Sequence, residues 1–212
     1  GRRPLTYRRL LARIDDLASG MTARGVRRQD RIALLLPDGP ELAVALLGIS
    51  TAAACGVGNL AYGARELGAA LVKQRVSAVV LQAGVASVGR QAALAQGLPI
   101  LELAFDSSAD SSADSSADSS ADSSAEAGAF SVLAPLSGAA RHPPTFVQPP
   151  DPADVMLVLP TSGTTADPRL VPLSHGNVHA AAIAMAQVLA LGPGDRCLNV
   201  MPLCHIHGIS TL

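Results

Sequence analysis

The chain has 212 residues and a formal net charge of -1, with its basic residues spread along the sequence. This argues against a nucleic-acid-binding surface, which needs a concentrated basic patch. Hydrophobic residues make up 49% of the chain, enough for a sizeable core, whereas aromatic residues make up only 2% and Trp is absent. We therefore expect a core of Ala, Val, Leu and Ile, without aromatic platforms for stacked bases.

The cysteines are few and odd in number. Cys55, Cys197 and Cys204 lack the spacing of a disulfide framework, so the chain suits a reducing compartment. Gly1 is followed by two arginines and then by no apolar run of signal-peptide character. These features predict a cytoplasmic protein.

The first predicted element is an amphipathic helix that Thr6 caps and Gly25 ends. After it, short apolar runs that predict buried strands alternate with stretches of helical periodicity. The predicted strands are residues 31–36, 77–82, 100–103 and 154–160, and the predicted helices begin near residues 41, 64 and 85. This alternation indicates an α/β domain with a largely parallel sheet, in which ligands bind beyond the carboxyl ends of the strands.

Residues 42–64 carry no charge and are long enough to span a bilayer. Several glycines and Asn59 interrupt this stretch, and Ala outnumbers Leu and Ile, so membrane insertion would be weakly favoured. The pattern favours a buried helix followed by a buried strand, with a membrane-spanning helix as the lesser alternative.

Residues 106–125 are five tandem copies of Asp-Ser-Ser-Ala. Because this repeat contains no apolar residue larger than Ala, it has no side chain to bury in a core. We therefore expect a disordered surface loop inserted in the domain. A phosphorylated tract is the lesser alternative. A Pro-rich linker, residues 141–152, then leads back to structured chain.

The strand at residues 154–160 runs directly into residues 161–169, most of which are Ser, Thr, Gly or Ala. Small side chains let backbone N–H groups approach a polyphosphate, hydroxyls donate further hydrogen bonds, and Arg169 would balance charge. The loop is not the P-loop of nucleotide triphosphatases, because Gly-x-x-x-x-Gly-Lys-Ser/Thr does not occur. An ordinary polar turn is the alternative that composition alone leaves open.

A helix is predicted after this loop, capped by Ser174 or Asn177 and ended near residues 192–195. Four histidines lie in or near this part of the chain, at positions 175, 179, 205 and 207. A zinc site is a weak alternative, because neither a CxxC nor an HExxH spacing is present.

Residues 161–177 read Thr-Ser-Gly-Thr-Thr-Ala-Asp-Pro-Arg-Leu-Val-Pro-Leu-Ser-His-Gly-Asn. This segment resembles the phosphate-binding signature of the adenylate-forming superfamily. Residues 201–208, Met-Pro-Leu-Cys-His-Ile-His-Gly, resemble that family's motif beside the acyl pocket. Residues 5–10, 30–37 and 59–67 also resemble its N-terminal segments, and the two later motifs look most similar to oxalate or fatty acyl-CoA synthetases.

The resemblance implies the N-terminal part of the large domain of an acyl-CoA synthetase, with mixed, mostly parallel sheets flanked by helices. It implies ATP, Mg²⁺ and CoA as cofactors and a small-molecule carboxylic acid as substrate. The residues that would hold the β- and γ-phosphates of ATP are Thr161, Ser162, Gly163, Thr164, Thr165 and Arg169. The residues that would shape the acid-binding site are His205, His207 and Gly208.

Four positions depart from the family pattern. Ala166 and Leu170 stand where the family usually has Gly, Arg169 replaces a Lys, and Cys204 replaces an aromatic residue. Ala166 would strain the loop by about 1 kcal/mol if its position needs a positive φ. Arg169 keeps the charge but presents a planar, forked donor.

The family's later motifs, which bind adenine, ribose and Mg²⁺ and supply a catalytic lysine, are not found in these 212 residues. We therefore assign no catalytic residue or metal ligand, and expect the chain to be inactive alone. Two alternatives remain: a catalytically silent remnant or nucleotide-binding or interaction fragment, and a membrane-associated protein.

Overall fold

The computed structural model describes residues 4–105, 128, 130–132, 148–161 and 169–210. The helices are α1 (Tyr7–Thr22), α2 (Pro40–Ala52), α3 (Ala64–Lys73), α4 (Val88–Ala95), α5 (His175–Val188) and α6 (Ile206–Ser210). The strands are β1 (Arg31–Leu35), β2 (Ala54–Val57), β3 (Ala78–Gln82), β4 (Ile100–Phe105), β5 (Phe130–Val132), β6 (Val155–Pro160) and β7 (Leu170–Ser174). These strands form one sheet in the order β5-β4-β3-β1-β2-β6-β7.

The inner part of the sheet is parallel. Strand β1 pairs with β2 and β3, β3 pairs with β4, and β2 pairs with β6, all in parallel. The two edge strands, β5 and β7, pair antiparallel with their neighbours. The predicted α/β fold with a mixed, mostly parallel sheet is confirmed.

Helices cover both faces of the sheet around β1. Ile32 and Leu34 pack in the cluster that contains α1 and α2, whereas Ala33 and Leu35 pack in the cluster that contains α3 and α4. Successive side chains of a strand point to opposite faces, so a strand buried on both sides must be apolar throughout. This explains why the sequence shows a continuous apolar run there rather than an alternating pattern.

The predicted start of α1 agrees with the structure, whereas that of α4 does not. The Thr6 hydroxyl accepts a hydrogen bond from Arg9 N at the start of α1, and Gly25 follows the helix with φ of 87°, which suits glycine. Helix α4 begins three residues later than predicted, because Ser87 caps it by accepting a hydrogen bond from Arg90 N.

Residues 42–64 form most of α2, strand β2 and the turn that leads to α3. The interpretation as a buried helix followed by a buried strand is confirmed, since most of α2 and all of β2 are buried. None of the helices in the described residues combines the length and the hydrophobicity needed to cross a bilayer.

Strands β5 and β7 and helix α6 were not predicted. All three are short, and none of them is an uninterrupted run of large apolar residues like those that marked β1 and β3. The predicted disordered repeat at residues 106–125 lies outside the described residues, and of the predicted linker at residues 141–152 only residues 148–152 are described.

Helix α5 is capped more completely than predicted. The Ser174 hydroxyl accepts from Asn177 N, and the Asn177 side chain accepts from Ser174 N, which together form a capping box. The helix is apolar on all sides, yet none of its residues is buried. Helices of this kind are usually buried in a larger core.

Arg28 connects three segments around the amino end of β6. Its guanidinium lies 3.2 Å from an Asp154 carboxylate oxygen and donates to the carbonyl oxygens of Thr51 and Gln148 at 3.4 and 2.7 Å. Partly exposed ion pairs of this kind contribute little to the free energy of unfolding, but they fix the relative positions of the segments that they join. Arg28 thereby ties the end of α2 to the approach to β6.

His175 forms a second link to α2 from the start of α5. Its Nε2 lies 3.0 Å from the Ser50 carbonyl oxygen and donates to it. Burial lowers the pKa of the imidazole below 6.5, its ordinary value, and outweighs the Ser50 carbonyl and Asp154, which favour protonation. The unfolded chain therefore binds this proton more readily, and the free energy of unfolding should fall as the pH drops through 6.5.

Replacing His175 with Gln is expected to reduce this loss of stability on acidification, because Gln can donate to Ser50 but does not titrate. Urea unfolding between about pH 8 and about pH 5 measures the effect. The matched control is His179→Gln, at an exposed position of the same helix, which should keep the wild-type pH dependence. A wild-type pH dependence in His175→Gln would show that this histidine does not titrate on unfolding.

Candidate functional site

The predicted phosphate loop connects β6 to β7, and hydrogen bonds close it at its base. Thr161 N donates to the Arg169 carbonyl oxygen at 2.8 Å, and Arg169 N donates to Thr161 Oγ1 at 3.1 Å. The neighbouring pair in the ladder is Pro160 with Leu170. The ends of the loop are therefore fixed to each other as a continuation of the β6–β7 hairpin.

Thr161 and Arg169 are exposed. Within the described part of the chain, the Arg169 side chain makes no hydrogen bond or ion pair, so its charge is available to a ligand. Residues Ser162, Gly163, Thr164 and Thr165, which the resemblance assigns to the phosphates, lie outside the described residues.

A cavity of about 370 Å³ lies at the carboxyl ends of β1 and β2, the same edge of the sheet at which β6 leads into the loop. We refer to it as the carboxyl-end cavity. Its polar lining residues are Asp38, Asn59, Cys204 and His205. The other lining residues are mainly apolar and include Leu36, Leu42, Val57 and Leu60. A mainly apolar pocket with a few polar groups is typical of small-molecule sites.

His205, the predicted substrate-binding histidine, is thus at this cavity. His207 is exposed on α6 and is not among the lining residues. Gly208 is buried, and a Cβ at this position would overlap the carbonyl oxygen of Pro202. The structural reason for glycine in this motif is therefore the close approach of two backbone segments.

The Cys204 thiol shows how the cavity wall affects ionisation. Burial raises its pKa, and the Asp38 carboxylate raises it further. Burial also raises the pKa of Cys55, which is fully enclosed in the core. Neither thiol is therefore activated as a nucleophile.

The histidines that suggested a weak zinc alternative have separate environments. His175 donates to Ser50, whereas His179 is exposed on the same helix. Across the described ranges, no three His, Cys, Asp or Glu side chains are grouped to hold a metal ion.

Asp38 and Asn59 are polar residues at the cavity that sequence reasoning did not select. Each follows the carboxyl end of a strand, β1 and β2 respectively. The rule that parallel sheets bind ligands at this edge could have identified both.

Replacing Gly208 with Ala is expected to lower the free energy of unfolding by about 1 to 3 kcal/mol, because the added methyl group must displace the Pro202 backbone. Urea denaturation gives the value. Gly194→Ala is the control, because a Cβ there meets no atom within 4 Å. Equal stability of the two variants would mean that the segment around Gly208 adjusts freely.

A family model described as AMP-binding enzyme matches residues 1–212. The chain is similar to the oxalate–CoA ligase of Saccharomyces cerevisiae, with 31% identity over 87% of this chain and 34% of that protein. It is also similar to a long-chain-fatty-acid–CoA ligase of Mycobacterium tuberculosis, with 28% identity over 98% of this chain and 37% of that protein. The chain therefore spans about a third of the length of these relatives.

Among solved structures, ATP-bound MatB from Rhodopseudomonas palustris superposes on this chain with a TM-score of 0.71. The sequences are 23% identical over 97% of this chain and 36% of that chain. At this identity the likeness shows the fold, and it agrees with the sheet described above. Because the family model matches the whole of its length, the chain belongs to the AMP-binding enzyme family.

Proposed function

We propose that this chain carries the ATP-phosphate loop and part of the acid-binding site of an ATP-dependent CoA ligase. The observation that carries the proposal is the closed base of the β6–β7 loop, where the hydrogen-bonded pair Thr161 and Arg169 presents an exposed guanidinium. A closed base fixes Thr161 and Arg169 relative to each other before the ligand arrives, which reduces the cost of ordering these two residues on binding.

In the proposed reaction a carboxylate oxygen attacks the α-phosphorus of ATP, the bond to the β-phosphate oxygen breaks, and pyrophosphate leaves. The thiol of CoA then displaces AMP from the acyl-adenylate, which gives the thioester. Residues 161–165 would bind the β- and γ-phosphates through hydroxyl and backbone N–H groups, and Arg169 would offset their negative charge. This binding would restrain the pyrophosphate leaving group while the carboxylate oxygen attacks.

The loop is compatible with Mg²⁺, which proteins hold through few side chains and through the oxygens of phosphate and water. The exposed Thr161 hydroxyl is an oxygen donor of the kind that such a site uses. When bound, the ion would neutralise charge on the phosphate oxygens.

The carboxyl-end cavity is proposed to receive the acid, with His205 at its wall. Its lining combines apolar side chains, which suit the acyl part, with polar groups such as Asn59. The relatives are named for acids as different as oxalate and long-chain fatty acids. The proposal therefore extends to a small-molecule carboxylic acid and no further.

The free cysteines agree with a proposed cytoplasmic location.

We also propose that these 212 residues do not complete the adenylation site. Two observations support this proposal. The relatives that are named CoA ligases are about three times as long as this chain, and the apolar helix α5 has no buried residue.

The same exposed helix favours the second candidate function, an interaction fragment without catalysis. The departures at Ala166 and Leu170 also favour it.

Replacing Arg169 with Ala should weaken MgATP binding by about one to two decades, because a charge-assisted hydrogen bond contributes about 1.5 to 3 kcal/mol. Titration with MgATP, followed by NMR, measures the affinity in a version of the chain extended to the length of its relatives, because the chain alone should bind MgATP weakly. Arg8→Ala, at an exposed position of α1, is the control and should leave the affinity unchanged. Identical affinities in wild type and Arg169→Ala would favour the second candidate function, an interaction fragment without catalysis.

Incorporation of labelled pyrophosphate into ATP tests whether these residues form a complete adenylation site. With the purified chain and a panel of short and long carboxylic acids, we expect no exchange above the control without acid. Binding from one phosphate loop provides only a few hydrogen bonds of about 1 kcal/mol each against a larger association cost. Acid-dependent exchange would show that these residues suffice for adenylation.

A further inference from the structure

The residues around His205 form a compact unit, which we call the His205 segment, residues 199–210. The Asn199 side chain donates to the Gly208 carbonyl oxygen at 2.8 Å and accepts from Met201 N at 3.0 Å. Ile209 N donates to the His205 carbonyl oxygen at 3.2 Å. These bonds hold the segment together, but none of them connects it to the sheet.

Leu203 connects the His205 segment to the sheet. Its side chain is only 5% exposed and packs in the cluster that also contains α2. Its backbone N–H donates to Asp38 Oδ1 at 2.9 Å, across 165 positions of sequence. Apolar burial has no preferred direction, whereas a hydrogen bond to a carboxylate is directional and strong. The bond to Asp38 therefore sets the orientation in which the segment docks.

Asp38 also belongs to the wall of the carboxyl-end cavity, together with Cys204 and His205. The Asp38 charge acts on the Cys204 thiol and adds to the effect of burial. One carboxylate thus contacts the backbone of the segment and also acts on the Cys204 thiol that the segment brings to the cavity.

We propose that Asp38 is a positioning residue: its carboxylate, in the cavity wall, holds Leu203 N–H and thereby places His205 at the cavity. Its relevance to substrate binding rests on the proposed function, in which His205 contacts the carboxylic acid. Asp38 acts through the His205 segment and takes no part in bond making.

The test compares Asp38→Asn with Asp38→Ala in the purified chain, without nucleotide or acid. Asn keeps an acceptor oxygen but removes the charge, whereas Ala removes both. In Asp38→Ala the Leu203 amide should exchange with solvent at least tens of times faster, and in Asp38→Asn, which keeps a neutral acceptor, the acceleration should be clearly smaller, about tenfold or less. The amide of Leu34, in the central strand, should keep its rate in both variants.

The second measurement is the alkylation rate of Cys204 by iodoacetamide, with the exposed Cys197 as internal reference. Removing the Asp38 charge in Asp38→Asn should lower the thiol pKa and raise the rate about twofold or more. The rate change reports whether the Asp38 carboxylate lies beside the His205 segment, as the hydrogen bond to Leu203 requires. Because this measurement uses Asp38→Asn, it tests the proposal even if Asp38→Ala does not fold.

Three results would overturn the proposal: an unchanged Leu203 amide in Asp38→Ala, equal acceleration at Leu203 and Leu34, or an unchanged Cys204 rate in Asp38→Asn. Equal acceleration would mean that Asp38 contributes only to overall stability. Since no ligand is used, the outcome is independent of whether the chain binds ATP.

Discussion

Parallel pairing of the inner strands is the constraint on which the rest of this structure depends. Strands that run in one direction need a crossover between them, and here helices provide crossovers on both faces of the sheet. The carboxyl ends of β1, β2 and β6 consequently meet at one edge. The turns that follow these strands hold Asp38, Asn59 and Thr161, so polar residues distant in sequence are brought to the same side of the domain.

At that edge, two hydrogen-bonded contacts fix the loops that form the candidate site. Thr161 and Arg169 close the base of the phosphate loop, and Asp38 holds Leu203 of the His205 segment. Both contacts use a side-chain oxygen to accept from a backbone N–H, which is a common way to fix a loop. The first is local, whereas the second joins residues 165 positions apart in the sequence.

The sequence predicted the sheet class because strands buried on both faces appear as uninterrupted apolar runs, as in β1 and β6. It indicated a phosphate-binding loop after β6 through the composition of residues 161–169 and their family resemblance, and that role stays a prediction. It did not predict β7, because none of its residues 170–174 is buried and they belong to the resembling segment rather than to an apolar run. Nor did it reveal the bond between Asp38 and Leu203, since no periodic pattern encodes a contact between residues this far apart.

The most direct test of the account concerns the closed base of the phosphate loop. Thr161→Val removes the oxygen that accepts from Arg169 N, whereas Thr161→Ser keeps it. A neutral hydrogen bond contributes about 1 kcal/mol, so the Arg169 amide should exchange with solvent about fivefold faster in Thr161→Val and MgATP affinity should fall. Thr161→Ser should match the wild type in both measurements. Wild-type exchange and affinity in Thr161→Val would contradict the account, because the loop would then be held without this contact.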